Sequence, residues 1–147
     1  MRKVFMEALG AGAFGALAMM PVGFFFRALG MRVGHYGPKF ASLYIEDPGR
    51  AALFIQHMAL GWVSALPLCL LPLHRLSAST VLAIGSIYGI VYYVLVNSLG
   101  LPLYFGDPLP LDLGINYVIP SLVTHIVFGA AVAYGIYFIR HKQRIAH

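Results

Sequence analysis

The chain has 147 residues, 60% of them hydrophobic and only 10% charged; soluble domains carry roughly 25% charge, so the solvent of this chain is lipid. Ten basic against five acidic residues leave +5, but the cations flank apolar runs and do not interleave with exposed aromatics, which argues against a nucleic-acid partner. Cys69 is the one cysteine, which excludes an intrachain disulfide and any multi-cysteine zinc or iron–sulfur centre.

Four apolar segments follow, each near the ~20 residues that cross a ~30 Å hydrocarbon core. They predict an all-α, polytopic membrane protein, a single four-helix transmembrane domain over the whole chain. In lipid a helix satisfies its own backbone, and no alternating strand pattern offers a barrel.

The first span is expected at about residues 8–26, between Glu7 and Arg27. Arg2 and Lys3 precede it as in a signal peptide, but the apolar run continues through Phe26, so it reads as a retained span. Pro21 inside it predicts a kink. Glu7 is expected at the membrane edge, neutralised by Arg2 and Lys3. In the connection that follows, Gly34, Gly37 and Pro38 act as breakers, and Phe40, Leu43, Tyr44 and Ile45 suit one apolar turn at the interface. Glu46–Gly49 reads as a turn.

The second span is expected at about residues 51–73, with Pro67 as a second kink and Cys69 as a small buried hydrophobe. The third is expected at about 80–104 and the fourth at about 117–139, with Pro120 tolerated in its first turn. Pro108 and Pro110 predict an irregular connection between them, with Asp107 and Asp112 solvated. Ser64, Ser86 and Ser98 have no adjacent base and are expected to bond back to their own helices.

Basic residues orient the chain. Arg2, Lys3, Arg75, Arg140, Lys142 and Arg144 fall on one side, and Arg27, Arg32, Lys39 and Arg50 on the other. This favours both termini in the cytoplasm.

Spans two and four share a pattern. Gln56-His57 leads to Gly61 and Ala65, and Thr124-His125 leads to Gly129 and Ala133. Both read H-x-x-x-G-x-x-x-A, a spacing that puts the three residues on one helix face, where small side chains admit a neighbouring backbone. Spans one and three carry their own small stripes, Ala8, Gly12, Gly15 and Ala16 in one and Gly85 and Gly89 in the other. Two duplicated helical hairpins, related by an axis along the membrane normal, give the simplest account. Packing through Gly12, Gly15, Gly61, Gly85, Gly89 and Gly129 also suits assembly, so a homo-oligomer or a larger membrane complex is expected.

Gly12 and Gly15, His57 and Gly61, Tyr88, Gly89 and Pro102, and His125 and Gly129 make a set that resembles the small bacterial inner-membrane proteins of unknown function around YagU. The resemblance covers the four spans and not the connections. It implies a bacterial inner-membrane location and no particular reaction.

His57 and His125 are expected about 10–13 Å below the extracytoplasmic surface. Asn97, Met19, Met20, Gln56 and Thr124 belong to the same layer. Three readings of the layer stand together. Imidazole and amide groups lock helices by hydrogen bonds. Two histidines from facing helices can ligate haem b. His57 and His125 with Met19 or Met20 suit a soft metal ion such as Cu(I), or the histidines relay protons. His35, His74, His141 and His147 are expected to be solvated or interfacial. No P-loop, G-x-S-x-G or H-E-x-x-H is present, so no enzyme is expected. The leading reading is a structural or accessory envelope protein; a haem- or metal-binding redox protein and a minimal oligomeric transporter or channel are the alternatives.

Overall fold

The computed structural model describes residues 2–34 and 36–145. His35 and His147 lie outside the described residues. The structure is helical, with no strand among the described residues: α1 (Arg2–Ala28), α2 (Tyr36–Ala41), α3 (Arg50–Cys69), α4 (Ala78–Phe105), α5 (Pro110–Leu113) and α6 (Ile115–Ile145). Helices α1, α3, α4 and α6 are long and apolar enough to cross a membrane. Large apolar side chains point outward along them; Phe14 is 50%, Val63 64% and Leu95 60% exposed, as a lipid-facing surface requires.

Element ends differ from the apolar runs. α1 begins at Arg2 and α6 continues to Ile145, because hydrogen bonding does not stop where hydropathy does. α3 ends at Cys69, four residues short of expectation at Leu73. Leu70 N–H turns back to the Pro67 carbonyl, and Pro72 prevents continuation. α1 runs unbroken through Pro21. Gly37 and Pro38 do not break the first connection but lie within α2, where proline in a first turn is harmless. The third connection, expected to be irregular, holds the single turn of α5.

α4 has an unexpected interior. It is α-helical over Ala78–Tyr92 and Leu101–Phe105, and π-helical over Tyr93–Gly100. Pro102 has no N–H, and its ring in a plain α-helix would meet the Ser98 carbonyl. The wider π turn relieves this, and Leu101 N–H donates five residues back, to Val96. Gly106 closes the helix at φ +67°, a left-handed cap that suits glycine.

The spans alternate in direction and form a row, α3 on α1, α1 on α6 and α6 on α4. Glycine sets each contact. A Cβ on Gly12 would lie 2.5 Å from the Gly61 carbonyl oxygen, and one on Gly89 would overlap the His125 carbonyl. The two hairpins mesh alike. Gly61 lies against the Gly12 carbonyl and Ala16; Gly129 lies against the Gly85 carbonyl and Gly89. Each of these central glycines follows its histidine by four residues. Gly15 serves the α1–α6 contact, against Val132 and Phe128. The small stripes are therefore occupied within the chain.

An exact two-fold would also pack α3 on α4 as α1 packs on α6. It does not; α3 and α4 barely touch. Small Ala11 and Gly15 face α6, whereas Tyr88 and Tyr92 stand between α4 and α3. Tyr88 donates to the Ser64 carbonyl at 2.5 Å, and Ser64 Oγ donates to the Tyr92 hydroxyl at 3.0 Å. Ser64 thus bonds across helices and not back to its own. The dry core, with Leu68, Leu73, Val81, Val132 and Ile136 buried, fills the half of the bundle nearer the termini. The half under the first and third connections is hollow.

Glu7 corrects the expectation of an edge charge held by Arg2 and Lys3. It is 2% exposed, and its partner is Arg140, 2.7 Å away. Glu7 shares a helix face with Ala11 and Gly15, and that face meets α6. The Arg140 guanidinium also donates to the Cys69 and Leu71 carbonyls at 2.5 and 2.6 Å, so it ties α1, α6 and the end of α3 together. These carbonyls lack helical partners because α3 stops there.

Candidate functional site

The site is built where each hairpin's histidine sits one turn before its contact glycine. The glycine brings the neighbouring backbone close, so the ring reaches it. His57 Nε2–H donates to the Ala16 carbonyl of α1 at 2.9 Å. A carbonyl only accepts, so Nε2 carries the proton and Nδ1 the lone pair in the neutral ring.

His125 is held differently. Its Nδ1–H donates to the Ser121 carbonyl, one turn back, at 2.6 Å. Nε2 then carries the lone pair and accepts from the Asn97 amide of α4 at 2.9 Å. The Tyr92 ring stacks on the imidazole at 5.7 Å between centroids. Asn97 lies in the π stretch, and π turns often accompany functional positions. Thr124 returns its hydroxyl to the Pro120 and Ser121 carbonyls.

Two cavities meet at this layer, of about 500 and about 350 Å³. His57, Asn97, His125 and Met19 line both; Met20 and Thr124 line the larger and Gln56 the smaller. The structure therefore brings His57, His125, Met19 and Met20 to one space, although neither ring bonds to the other. Both Nε2 atoms are engaged in hydrogen bonds. Among the described residues no three His, Cys, Asp or Glu side chains cluster around a metal position.

A cover lies over the hollow end. Lys39 of α2 pairs with Asp107 at 2.5 Å, its ammonium 5.0 Å from the centre of the Phe105 ring. Tyr36 stacks on Phe105 at 6.0 Å and hydrogen-bonds Asp107. Asp107, expected to be solvated, is the latch between the first and third connections. Burial first, then the Asp107 charge and that hydrogen bond, raise the Tyr36 phenol above its usual pKa. Gln56 holds α2 from below, donating to the Gly37 carbonyl at 2.9 Å and accepting from Tyr44.

Sequence reasoning missed the rim. Arg27, Arg32 and Arg50 line the larger cavity, from the end of α1, the first connection and the start of α3. The signal was present in the sequence, because the first connection carries Arg27, Arg32, Lys39 and Arg50. Comparison with protein-family models, curated proteins and solved structures gives no match.

Proposed function

We propose that the protein is a non-catalytic accessory protein of the bacterial inner membrane that binds a small ligand between its two hairpins. The observation that carries this reading is the gap between α3 and α4. A chain built only to pack would close these helices as it closes α1 on α6. Here Tyr88 and Tyr92 hold a space open, and the histidine layer lies where the two cavities meet. Pockets of about 300–1,000 Å³ suit one small molecule. Basic residues at both tails support a topology with the termini in the cytoplasm and the hollow end outside. The motifs shared with the YagU group support the bacterial inner membrane.

Gly23 provides the test. It lines the larger cavity, and among the described residues an added Cβ meets only Val33 Cγ1, at 3.5 Å. Gly23→Phe fills the space without breaking a helix contact. Protein extracted in mild detergent should carry a small molecule by native mass spectrometry, and Gly23→Phe should lose it at unchanged melting temperature. Equal loading of the two proteins would remove the reading.

The histidines act in this proposal as helix locks. Interhelical hydrogen bonds in membranes average ~0.6 kcal/mol, so His57→Ala combined with His125→Ala should cost about 1 kcal/mol. The melting temperature should fall by a few degrees, with haem absorbance and metal content equal to wild type. A Soret band or bound metal that disappears in the double variant would instead favour haem b or a soft ion at His57, His125, Met19 and Met20.

A further inference from the structure

We propose that the larger cavity is a site for an anionic phospholipid, its phosphate held by Arg27, Arg32 and Arg50 and one acyl chain directed toward the histidine layer. This rests on the binding reading above and names the chemistry of the ligand. Three elements deliver a guanidinium each to one cavity, and no carboxylate lines it. The chain pairs Lys39 with Asp107 and Arg140 with Glu7, but among the described residues no acid pairs with any of these three. Among the described residues Arg27 donates to the Val33 carbonyl at 3.2 Å, and Arg32 lies over the Tyr117 ring at 5.3 Å. Neither contact neutralises charge. Planar guanidiniums recognise phosphate oxygens in pairs.

The rest of the wall points to a lipid and not to a free anion. Below the arginines it is apolar, with Met19, Met20, Leu53, Phe24 and Phe54. Phe24 is 57% and Phe54 45% exposed, so this wall of the cavity is open and not sealed in the core. Methionine adapts to a flexible chain. In the polar floor, His125 and Thr124 already have their hydrogen bonds inside the protein. Arg27 and Arg50 stand at span ends, at the level where lipid phosphates lie.

The experiment is native mass spectrometry of the full chain with palmitoyl-oleoyl phosphatidylglycerol, with the matching phosphatidylcholine, and with inorganic phosphate as competitor. Phosphatidylglycerol should bind at least about tenfold better than phosphatidylcholine and resist inorganic phosphate. Replacing Arg27, Arg32 and Arg50 by Gln should weaken it by about fivefold per arginine, whereas lysine replacements, which keep the charge but not the fork, should weaken it less. Circular dichroism checks that each variant is folded. Equal binding of the two lipids, with the Gln variants unchanged, overturns the anionic site and leaves a cavity for a neutral ligand. Displacement by inorganic phosphate overturns the lipid. No lipid bound to a folded protein overturns the proposal, and Gly23→Phe then decides whether the cavity holds anything else.

Discussion

Gly129→Leu should abolish the folded bundle. A side chain at position 129 would overlap the Gly85 carbonyl and stand 2.7 Å from the Gly89 nitrogen. These neighbours are backbone, so no rotamer change makes room, and α4 must leave α6. Core overpacking costs about 1–3 kcal/mol and occasionally more. This case belongs at or above the top of that range, because the whole α4–α6 mesh depends on one close approach. Far-UV circular dichroism during heating in detergent measures it, with Gly10→Ala as the control. Among the described residues that position faces only Ile139 Cδ1, at 3.4 Å, and should be neutral or stabilising, since alanine favours a helix by about 1 kcal/mol. Equal melting of Gly129→Leu and wild type would mean that the two helices are not this close.

Arg140→Met should destabilise the protein nearly as much. It leaves the Glu7 carboxylate buried without a counter-charge, and one Glu7 oxygen, Oε1, already has no hydrogen-bond partner. Breaking a buried ion pair from one side costs about 3–5 kcal/mol. The same change frees the Cys69 and Leu71 carbonyls at the end of α3. Adding Glu7→Gln should recover a large part of the loss, because the stranded charge goes. Arg140→Lys should fall between the two, since an ammonium cannot reach three elements with one planar fork. A double variant no more stable than Arg140→Met would show that the charge is not what the arginine answers.

The four spans were legible because hydrocarbon imposes a composition on every residue that meets it, whatever its partners. The histidine–glycine spacing was legible too, because four residues along one helix make a face without reference to the rest of the chain. Contacts between distant elements were not. Nothing near Glu7 points to Arg140, and Arg2 and Lys3 were the nearer cations. Asp107 reads as solvated until α2 brings Lys39 to it. The gap between α3 and α4 depends on the bulk of Tyr88 and Tyr92 against the smallness of Ala11 and Gly15, a comparison that has meaning only once the order of helices in the row is known. Pro102 was visible near the end of its span, but its effect on the register of Tyr93–Gly100 was not.

That wide stretch sets the compass bearing of everything beyond it. Each residue of an α-helix turns the chain by about 100°. Phe105 and Asp107 meet Tyr36 and Lys39 only because the turns before them are slack. Deleting one residue between Tyr93 and Gly100 would leave the span apolar and long enough to insert. It would also swing the latch roughly a quarter of a circle from its catch, uncoupling the cap from a helix that hydropathy alone would judge intact.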